Sequence, residues 1–146
     1  MKIVNISGYD CIFDKGDSIL DLVVYVSQGY ARVYRSSKLF SRIKMKVTNL
    51  QEVDHRNGNM LDNRTENLRC CSALQNSANR TVHKDKKSGL PKGVYKHRNK
   101  YKAQIYHRGL YINLGTFMYP EDAESAYQEK AEELHGKFAS HISRRD

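Results

Sequence analysis

Four polar residues near the middle of the chain have the types and the order expected of a site that cleaves phosphodiester bonds with a metal ion. They are Asp54, His55, Asn67 and Asn76. An unperturbed imidazole titrates near neutral pH, so His55 can activate water as a general base. A hard divalent cation prefers carboxylate and amide oxygens, which assigns Asp54 and Asn76 to the metal. The amide oxygen of Asn67 can orient the imidazole by binding the ring nitrogen that does not act as the base. This completes the catalytic set.

The segment that carries Asp54 and His55 is typical of a strand that ends in a turn. Residues 52–55 read Glu-Val-Asp-His, and the Asn57-Gly58-Asn59 run that follows consists of turn-forming residues. Successive side chains of a strand alternate in direction, so Asp54 and His55 are expected on opposite faces.

A helix is predicted to begin directly after Ser72 and to carry the last member of the set. Ser72 and Gln75 have the spacing of a capping box, in which each side chain binds the backbone amide of the other residue. Asn76 then lies on the first turns and points back toward the strand. The pattern predicts a strand, a loop and a helix around one ion.

The segment from Val53 to Asn79 resembles the HNH nuclease family, specifically its phage and mobile-element homing branch. The resemblance is carried by Asp-His-Arg-Asn-Gly-Asn from Asp54, Asp-Asn-Arg from Asp62, Asn-Leu-Arg from Asn67, and the later Asn76. It implies a ββα-metal core with Asp54 and Asn76 on the cation, His55 as base, and Asn67 holding either the fold or the imidazole. Mg²⁺ is the implied ion, with Mn²⁺ as the alternative. The implied products carry a 5′-phosphate and a 3′-hydroxyl.

The upstream region departs from the family pattern. The family often carries a His-Arg pair on the preceding strand, whereas Ser41-Arg42 stands in the comparable region here. Substrate positioning upstream of the core is therefore not carried over. Arg64 and Arg69 either clamp phosphate or belong to a solvated face.

The charge of the chain favours a polyanionic partner. The 146 residues include 25 Lys or Arg against 16 Asp or Glu, for a net charge of +9. Basic residues are concentrated between residues 82 and 118, and acidic residues outnumber basic ones from residue 119 onward. We expect double-stranded DNA as the partner; protein partners are not indicated.

The three cysteines, Cys11, Cys70 and Cys71, do not suit a disulfide framework, and they lack the paired spacing of a zinc site. We therefore expect no zinc and a reducing compartment. No apolar run reaches membrane length, and the N-terminus lacks the pattern of a signal peptide. These features predict an intracellular, cytoplasmic protein with no membrane contact, in the cytoplasm of a bacterial host if a phage encodes it.

A second unit is predicted after a polar linker over residues 82–87. Residues 93–96, 101–106 and 110–117 are three strand candidates, and a helix should run from Pro120 to Gly136. The predicted fold class is α+β: a small N-terminal sheet and ββα nuclease core over residues 1–81, then a three-stranded antiparallel sheet packed on one helix over residues 88–146.

Alternation along the strands predicts an outward sheet face rich in basic residues, aromatic rings and amides. A sheet with such a face can enter the major groove of DNA. Together with the basic residues around it, this face gives the candidate DNA-binding set: Lys92, Tyr95, His97, Arg98, Lys100, Lys102, Gln104, Tyr106, Tyr111 and Asn113. Ordinary strand composition and solvated charge are the alternative for each member.

This second unit resembles the plant ethylene-response-factor, or Apetala-two, type of DNA-binding domain. The matching stretches begin at Lys92, Tyr101, Leu114, Pro120 and Ala126. The resemblance implies three strands lying in the major groove. The strand Trp residues of the family are missing here, so no base preference is carried over.

The first fifty residues contain three further strand candidates, at 21–26, 30–35 and 40–47. Arg32, Arg35, Lys44 and Lys46 either contact phosphates or are solvated charges on a structural sheet.

The sequence thus predicts an HNH endonuclease whose C-terminal module tethers it to duplex DNA, and it leaves nicking and double-strand cleavage open. The alternative is a DNA-binding regulator that retains a catalytically weak nuclease scaffold. RNA binding or processing is a third class, but no stacking-platform motif supports it.

Overall fold

The computed structural model describes residues 1–18, 22–80 and 88–139. The fold class is α+β, as predicted, and the chain divides into two compact units, residues 1–76 and 77–146. The linker predicted at residues 82–87 lies outside the described residues. The strands are β1 Lys2–Ile6, β2 Tyr9–Phe13, β3 Val24–Ser27, β4 Tyr30–Val33, β5 Glu52–His55, β6 Leu68–Cys71, β7 Val94–His97, β8 Lys100–His107 and β9 Leu110–Phe117. The helices are α1 Phe40–Lys44, α2 Ala73–Asn79 and α3 Pro120–His135.

The N-terminal unit begins with two antiparallel hairpins, β1-β2 and β3-β4, instead of one small sheet. The first hairpin has no counterpart in the sequence prediction. Its turn residues Ser7 and Gly8 both have positive φ, which suits the twist of a tight hairpin. The hairpins share a small apolar core with α1, formed by Cys11, Phe13, Ala31, Val33 and Phe40.

The strand predicted for residues 40–47 is wrong, because Phe40–Lys44 forms the helix α1. The helical spacing of four brings Phe40 and Lys44 to the same side. Phe40 packs edge-on against Phe13, with ring centroids 5.0 Å apart. Lys44 reaches the carboxylates of Asp14 and Asp17, so both ends of the helix are fixed by tertiary contacts that the alternating pattern of the sequence does not reveal.

The loop between β5 and β6 is docked on the β1-β2 hairpin. The Ile12 amide donates to the Leu61 carbonyl at 2.8 Å, and the Asn63 amide donates to the Ile12 carbonyl at 2.7 Å. Side chains extend this junction, because both the amide and the hydroxyl of Thr65 donate to Asp14 Oδ2, at 2.9 and 2.6 Å. The loop therefore takes its shape from residues about fifty positions earlier.

The strands β5 and β6 and the helix α2 form the predicted ββα arrangement. The strands pair in antiparallel register, with Asp54 opposite Arg69 and His55 opposite Leu68. The capping box is confirmed, since the Ser72 amide donates to Gln75 Oε1 at 2.9 Å and the Gln75 amide donates to Ser72 Oγ at 3.3 Å. The structure therefore holds the two strands and the start of α2 as one unit.

The C-terminal unit has the predicted sheet in the order β7-β8-β9, packed on α3. Pro120 begins the helix and Gly136 follows its last residue, as predicted. The core is apolar and consists of two clusters, with the partly buried Leu114 packed against both. Its buried members include Val94, Ala103, Ile105, Ala123, Tyr127 and Ala131.

Gly93, just before β7, lies close to both the helix and the sheet of this unit. Its φ is +76°, and a Cβ built there would lie 2.0 Å from the Tyr127 ring and 2.8 Å from the Gln104 carbonyl oxygen. Only glycine fits this position without a shift of the helix or the sheet.

Candidate functional site

Asp54 and His55 are both buried at the end of β5, with 4% and 6% of their surfaces exposed. Because adjacent strand residues alternate, their side chains leave β5 on opposite sides. Asp54 meets its cross-strand neighbour Arg69, whose Nε and Nη2 lie 2.7 and 2.6 Å from Asp54 Oδ2. A buried carboxylate requires such a partner, so Arg69 neutralises the proposed metal ligand within the protein.

The imidazole of His55 faces the loop between β5 and β6. Its Nε2 lies 3.5 Å from Asn63 Oδ1, and its ring stands edge-on to Tyr30 with centroids 6.5 Å apart. Burial lowers the pKa of His55, while the Asn63 contact and the charges of Asp54 and Asp62 act in the opposite direction. The lowered pKa keeps the imidazole neutral near pH 7, which is the form that can accept a proton.

Asn67 binds the backbone of the same loop. Its Oδ1 accepts from the Asn57 amide at 3.0 Å, and its Nδ2 donates to the Asp62 carbonyl at 2.8 Å. These contacts match the fold-holding role that the family resemblance implies as one alternative. The contact to His55 Nε2 comes from Asn63, a residue to which the sequence prediction gave no role.

Asn76 lies on α2 and points back toward β5, where its Nδ2 donates to Glu52 Oε2 at 2.6 Å. This contact leaves the amide oxygen as the atom with ligand character. Asp54 lies two residues after Glu52 on the same strand. The ββα unit therefore holds Asn76 beside Glu52, and its residues Asp54 and Asn76 offer oxygens of the types predicted for a cation.

The chemistry of this donor set fits a hard divalent ion. Mg²⁺ binds through one or two carboxylates and keeps several waters, so it does not require a cage made of protein ligands. Within residues 1–18, 22–80 and 88–139, no group of three or more His, Cys, Asp or Glu is placed to hold a metal.

Three of the arginines named in the sequence analysis bind other residues of the N-terminal unit. Arg69 pairs with Asp54, and Arg64 pairs with Asp62 at 2.7 Å and with Glu66. Arg42 donates to the carbonyl oxygens of Gln51 and Thr48 at 2.7 and 2.8 Å. These three guanidinium groups bind other residues of the unit, and Arg69, which is buried, does not belong to a solvated face.

Lys44 is likewise a structural residue, because its ammonium is held by Asp14, Asp17 and the Asn63 carbonyl at 2.7 to 2.8 Å. The contacts of Asn57 and Asn59 confirm the predicted turn: the Asn59 amide donates to Asn57 Oδ1 at 2.8 Å.

Sequence reasoning missed Asn63 and Tyr30, which lie beside the imidazole. Asn63 stands in the Asp-Asn-Arg run, where its neighbours suggest a polar loop. One signal was available: Asn63 is an amide within the motif and lies outside the Asn57-Gly58-Asn59 turn. Tyr30 gives no comparable signal, because tyrosine is ordinary strand composition.

The outward face of the C-terminal sheet has the composition predicted from alternation. In the register, Tyr95 is opposite Lys102, Gln104 is opposite Asn113, and Tyr106 is opposite Tyr111. The rings of Tyr106 and Tyr111 are in contact, with centroids 5.0 Å apart. Leu114 is an extra residue on β9, since Ala103 pairs with Gly115 while Gln104 pairs with Asn113.

The remaining candidate DNA contacts lie at the start of the unit and around the first turn. His97 pairs with Lys100 across the turn that contains Arg98. Lys92 precedes β7, and its ammonium donates to the carbonyl oxygens of Ala78 and Arg80 at 2.8 and 2.6 Å. Lys92 therefore has a role within the protein, at the end of α2, that its charge alone does not suggest.

Comparison with known proteins supports the nuclease prediction for the ββα segment. Residues 49–78 match the family model described as HNH endonuclease. This range contains all four residues from which the chemistry was inferred.

A relative aligns with most of the chain. An uncharacterized HNH endonuclease of Acanthamoeba polyphaga mimivirus is 31% identical over 135 residues, which is 92% of this chain and 62% of the relative. The chain thus spans less than two thirds of that protein's length. No solved structure matches. No helix in the described parts of the chain is long and apolar enough to cross a membrane.

Proposed function

We propose that this protein is a metal-dependent HNH DNA endonuclease of the phage or mobile-element type. The observation that carries the proposal is the joint placement of Asp54, His55 and Asn76 on one ββα unit that coincides with the matched range 49–78. The net charge of +9 supports DNA as the substrate.

His55 acts as the general base. Its burial and lowered pKa favour the neutral imidazole, which takes a proton from water. The water oxygen forms a bond to phosphorus while the bond from phosphorus to O3′ breaks. The leaving O3′ then takes up a proton from solvent, which gives a 5′-phosphate and a 3′-hydroxyl.

Asp54 and Asn76 would hold the divalent ion, for which Mg²⁺ is the proposed species and Mn²⁺ the alternative. When bound, such an ion stabilises negative charge on the phosphate and on the leaving oxygen. Asn67 serves the site by fixing the loop that faces His55, through its bonds to Asn57 and Asp62.

The C-terminal unit would bind duplex DNA through its outward sheet face. Lys100 and Lys102 supply charge for phosphates, while Gln104 and Asn113, opposite each other on β8 and β9, supply amides for base edges. Tyr95, His97, Arg98, Tyr106 and Tyr111 complete this proposed surface.

One observation favours the second candidate, a DNA-binding regulator with a weak nuclease scaffold. Arg69 binds Asp54 Oδ2 through two nitrogens. A cation on Asp54 must therefore share this carboxylate with the guanidinium of Arg69. Charge repulsion between the cation and the guanidinium lowers the affinity of Asp54 for the cation. The two candidates differ in turnover and agree on DNA binding.

Cleavage of a supercoiled plasmid tests the proposal. The full chain is incubated with plasmid and Mg²⁺, with and without a chelator, beside His55→Ala. Nicked or linear product from wild type alone is expected, with a loss of roughly 100-fold or more in His55→Ala, the range for removal of a general base. Nicked and linear product distinguish single-strand from double-strand cleavage.

The matched control is His135→Ala, which removes a half-buried histidine from the other unit and should leave cleavage unchanged. If wild type shifts DNA in a gel but leaves it intact with both Mg²⁺ and Mn²⁺, the endonuclease proposal is wrong and the regulator stands.

A further inference from the structure

Two pairs of outward residues stand next to each other on β8 and β9. Gln104 lies opposite Asn113, and Tyr106 lies opposite Tyr111. Along the strands they alternate with residues that pack in the core, such as Ile105, which is 2% exposed. The amide pair and the tyrosine pair therefore share the face of the sheet that points away from α3.

The tyrosine pair is an exposed aromatic surface. Tyr106 and Tyr111 are 54% and 70% exposed, and their ring centroids lie 5.0 Å apart with an interplanar angle of 58°. Much of each ring stays open to solvent although the two rings contact each other. In a major groove, such rings would meet the apolar group of the base edges, which is the C5 methyl of thymine.

The amide pair has the hydrogen-bonding groups that the major-groove edge of adenine requires. Adenine offers an acceptor at N7 and a donor at N6, and a carboxamide matches both with one N–H and its oxygen. Asn113 is exposed, and Gln104 is partly exposed. The Gly115 amide donates to Asn113 Oδ1 at 3.4 Å. Because a carboxamide oxygen has two lone pairs, this bond restricts the side chain and leaves groups that can bind adenine.

The residue types that recognise G·C pairs are absent from these two pairs of residues. Guanine is read mainly by Arg or Lys, and cytosine by Asp or Glu. Residues 93–118, which include all three strands, contain five Lys or Arg and no Asp or Glu. Arg98 and Arg108 lie in the turns between the strands, and Lys100 and Lys102 lie toward the other end of β8. The charges thus suit the phosphates of a duplex, while the two uncharged pairs suit its base edges.

We propose that this face binds A·T base pairs in the major groove of duplex DNA, with Gln104 and Asn113 on adenine and Tyr106 and Tyr111 on the methyl groups of thymine. Alternate residues of a strand are about 7 Å apart, and successive base pairs are about 3.4 Å apart. The two pairs therefore contact base pairs about two steps apart. The inference rests on the proposed function for DNA binding by this unit, and it adds the base composition of the bound site.

The first test replaces single groups on the bases. Binding of the full chain to fluorescent duplexes of equal length is measured by anisotropy in the presence of a chelator, so that the DNA stays intact. The four duplexes are alternating d(A-T), alternating d(G-C), alternating d(A-U), and d(A-T) with 7-deazaadenine. Deoxyuridine lacks the thymine methyl and 7-deazaadenine lacks the N7 acceptor, while both keep the base pairing and the charge.

We expect d(A-T) to bind roughly 10-fold or more tightly than d(G-C), the range for a good set of base contacts. Loss of the methyl should weaken binding about 4-fold for each methyl group contacted. Loss of N7 should weaken it roughly 5-fold or more. Equal binding of d(A-T) and d(G-C) would overturn the proposal. An A·T preference that survives both replacements would overturn it as well, because duplex shape would then explain the preference.

Variants assign each base group to its pair of side chains. Tyr106→Ser combined with Tyr111→Ser should remove the difference between d(A-T) and d(A-U). Gln104→Ala combined with Asn113→Ala should remove the dependence on N7. The control Tyr9→Ser replaces a tyrosine that is 51% exposed on β2 of the other unit, and it should leave both differences unchanged. Folded double variants that keep both differences would contradict the proposal, and if a variant does not fold, the base replacements with wild type still decide it.

The two proposals fail in different ways. A protein that cleaves DNA but binds all four duplexes equally contradicts the base preference alone. A protein that prefers d(A-T) through the methyl and N7 groups but never cleaves DNA contradicts the endonuclease alone. A protein that binds none of the duplexes contradicts the base preference and the proposed DNA-binding role of the sheet together.

Discussion

The two units differ in whether their functional polar side chains are buried or exposed. The N-terminal unit contains a set of buried polar residues, most of them in or beside the ββα segment. They are Ser41, Asp54, His55, Asp62, Asn63, Asn67 and Arg69. In the described part of the C-terminal unit, the buried residues are apolar apart from Asn79, and the proposed contact residues lie on the outward sheet face.

This difference follows from what each unit is proposed to do. A base and its orienting groups need a fixed, partly dehydrated environment, so they replace apolar packing in the interior. Buried polar groups are stable only when they are paired, and every partner then matters for the fold as well as for the chemistry. Substitutions in the N-terminal site should therefore alter stability and function together. Substitutions on the C-terminal sheet face should alter function with little effect on stability.

Arg69→Met should give the largest loss of stability. It leaves the Asp54 carboxylate buried without its guanidinium partner, and breaking such a pair costs about 3–5 kcal/mol. Chemical denaturation followed by circular dichroism measures the change. Lys130→Met, which removes the exposed pair with Glu133, is the control and should cost less than about 1 kcal/mol. Equal losses in the two variants would contradict the buried role of Arg69.

Gly93→Ala tests the apolar unit at a point of close contact. The added methyl would meet the Tyr127 ring and the Gln104 carbonyl at a positive φ, and overpacking together with backbone strain should cost roughly 2–4 kcal/mol. Gly109 also has positive φ, but a Cβ added there would have nothing within 4 Å. Gly109→Ala should therefore cost less, about 1 kcal/mol. If thermal unfolding shows that Gly109→Ala costs more stability than Gly93→Ala, the close contact at Gly93 is incorrect.

Asp14→Asn should have a smaller effect, and one that depends on pH. Hydrogen bonds from Lys44 and Thr65 hold the pKa of Asp14 well below its usual value. The folded protein therefore gains stability from the ionised carboxylate above the unfolded pKa of about 4, and loses it as pH falls below that value.

The carboxylate of Asp14 is 38% exposed, so solvent screening limits the expected loss in Asp14→Asn to about 1 kcal/mol at neutral pH. Unfolding free energies of wild type and variant, measured from pH 7 downward, should converge at acid pH. A difference that stays constant across this range would mean that the carboxylate charge is not what stabilises the loop.

Lys100→Gln combined with Lys102→Gln should have the least effect on stability while reducing DNA binding. Each phosphate contact removed should lower the slope of log affinity against log salt by about 1, for all DNA sequences alike. Fluorescence anisotropy over a salt series measures the slope, and Lys130→Gln, on α3, should leave it unchanged. An unaltered slope in the double variant would mean that these lysines do not contact DNA phosphates.

The extent to which the structure follows from the sequence also differs between the units. In the C-terminal unit, alternation along β8 and the Pro120 and Gly136 boundaries of α3 are local signals, and the structure confirms the sheet and the helix. Val94, Ala103 and Ile105 are buried between them. The capping box of Ser72 and Gln75 is local as well, and it too is confirmed.

In the N-terminal unit, the errors concern long-range contacts. Residues 40–47 alternate as a strand does, yet contacts with Phe13, Asp14 and Asp17 favour the helix α1. The position of Asn63 is fixed by contacts with Ile12 and Lys44, whose proximity no local pattern predicts.

The junction between Asp14 and Thr65, 51 positions apart in the chain, has a consequence for the order of folding. Contacts that close long loops form late, because much chain entropy must be lost before they contribute. The β5-β6 hairpin can pair early, but the surroundings of His55 are complete only when the first seventeen residues have docked. A refolding chain should therefore regain β structure before it regains activity, and opening of the first hairpin should inactivate the protein before it unfolds.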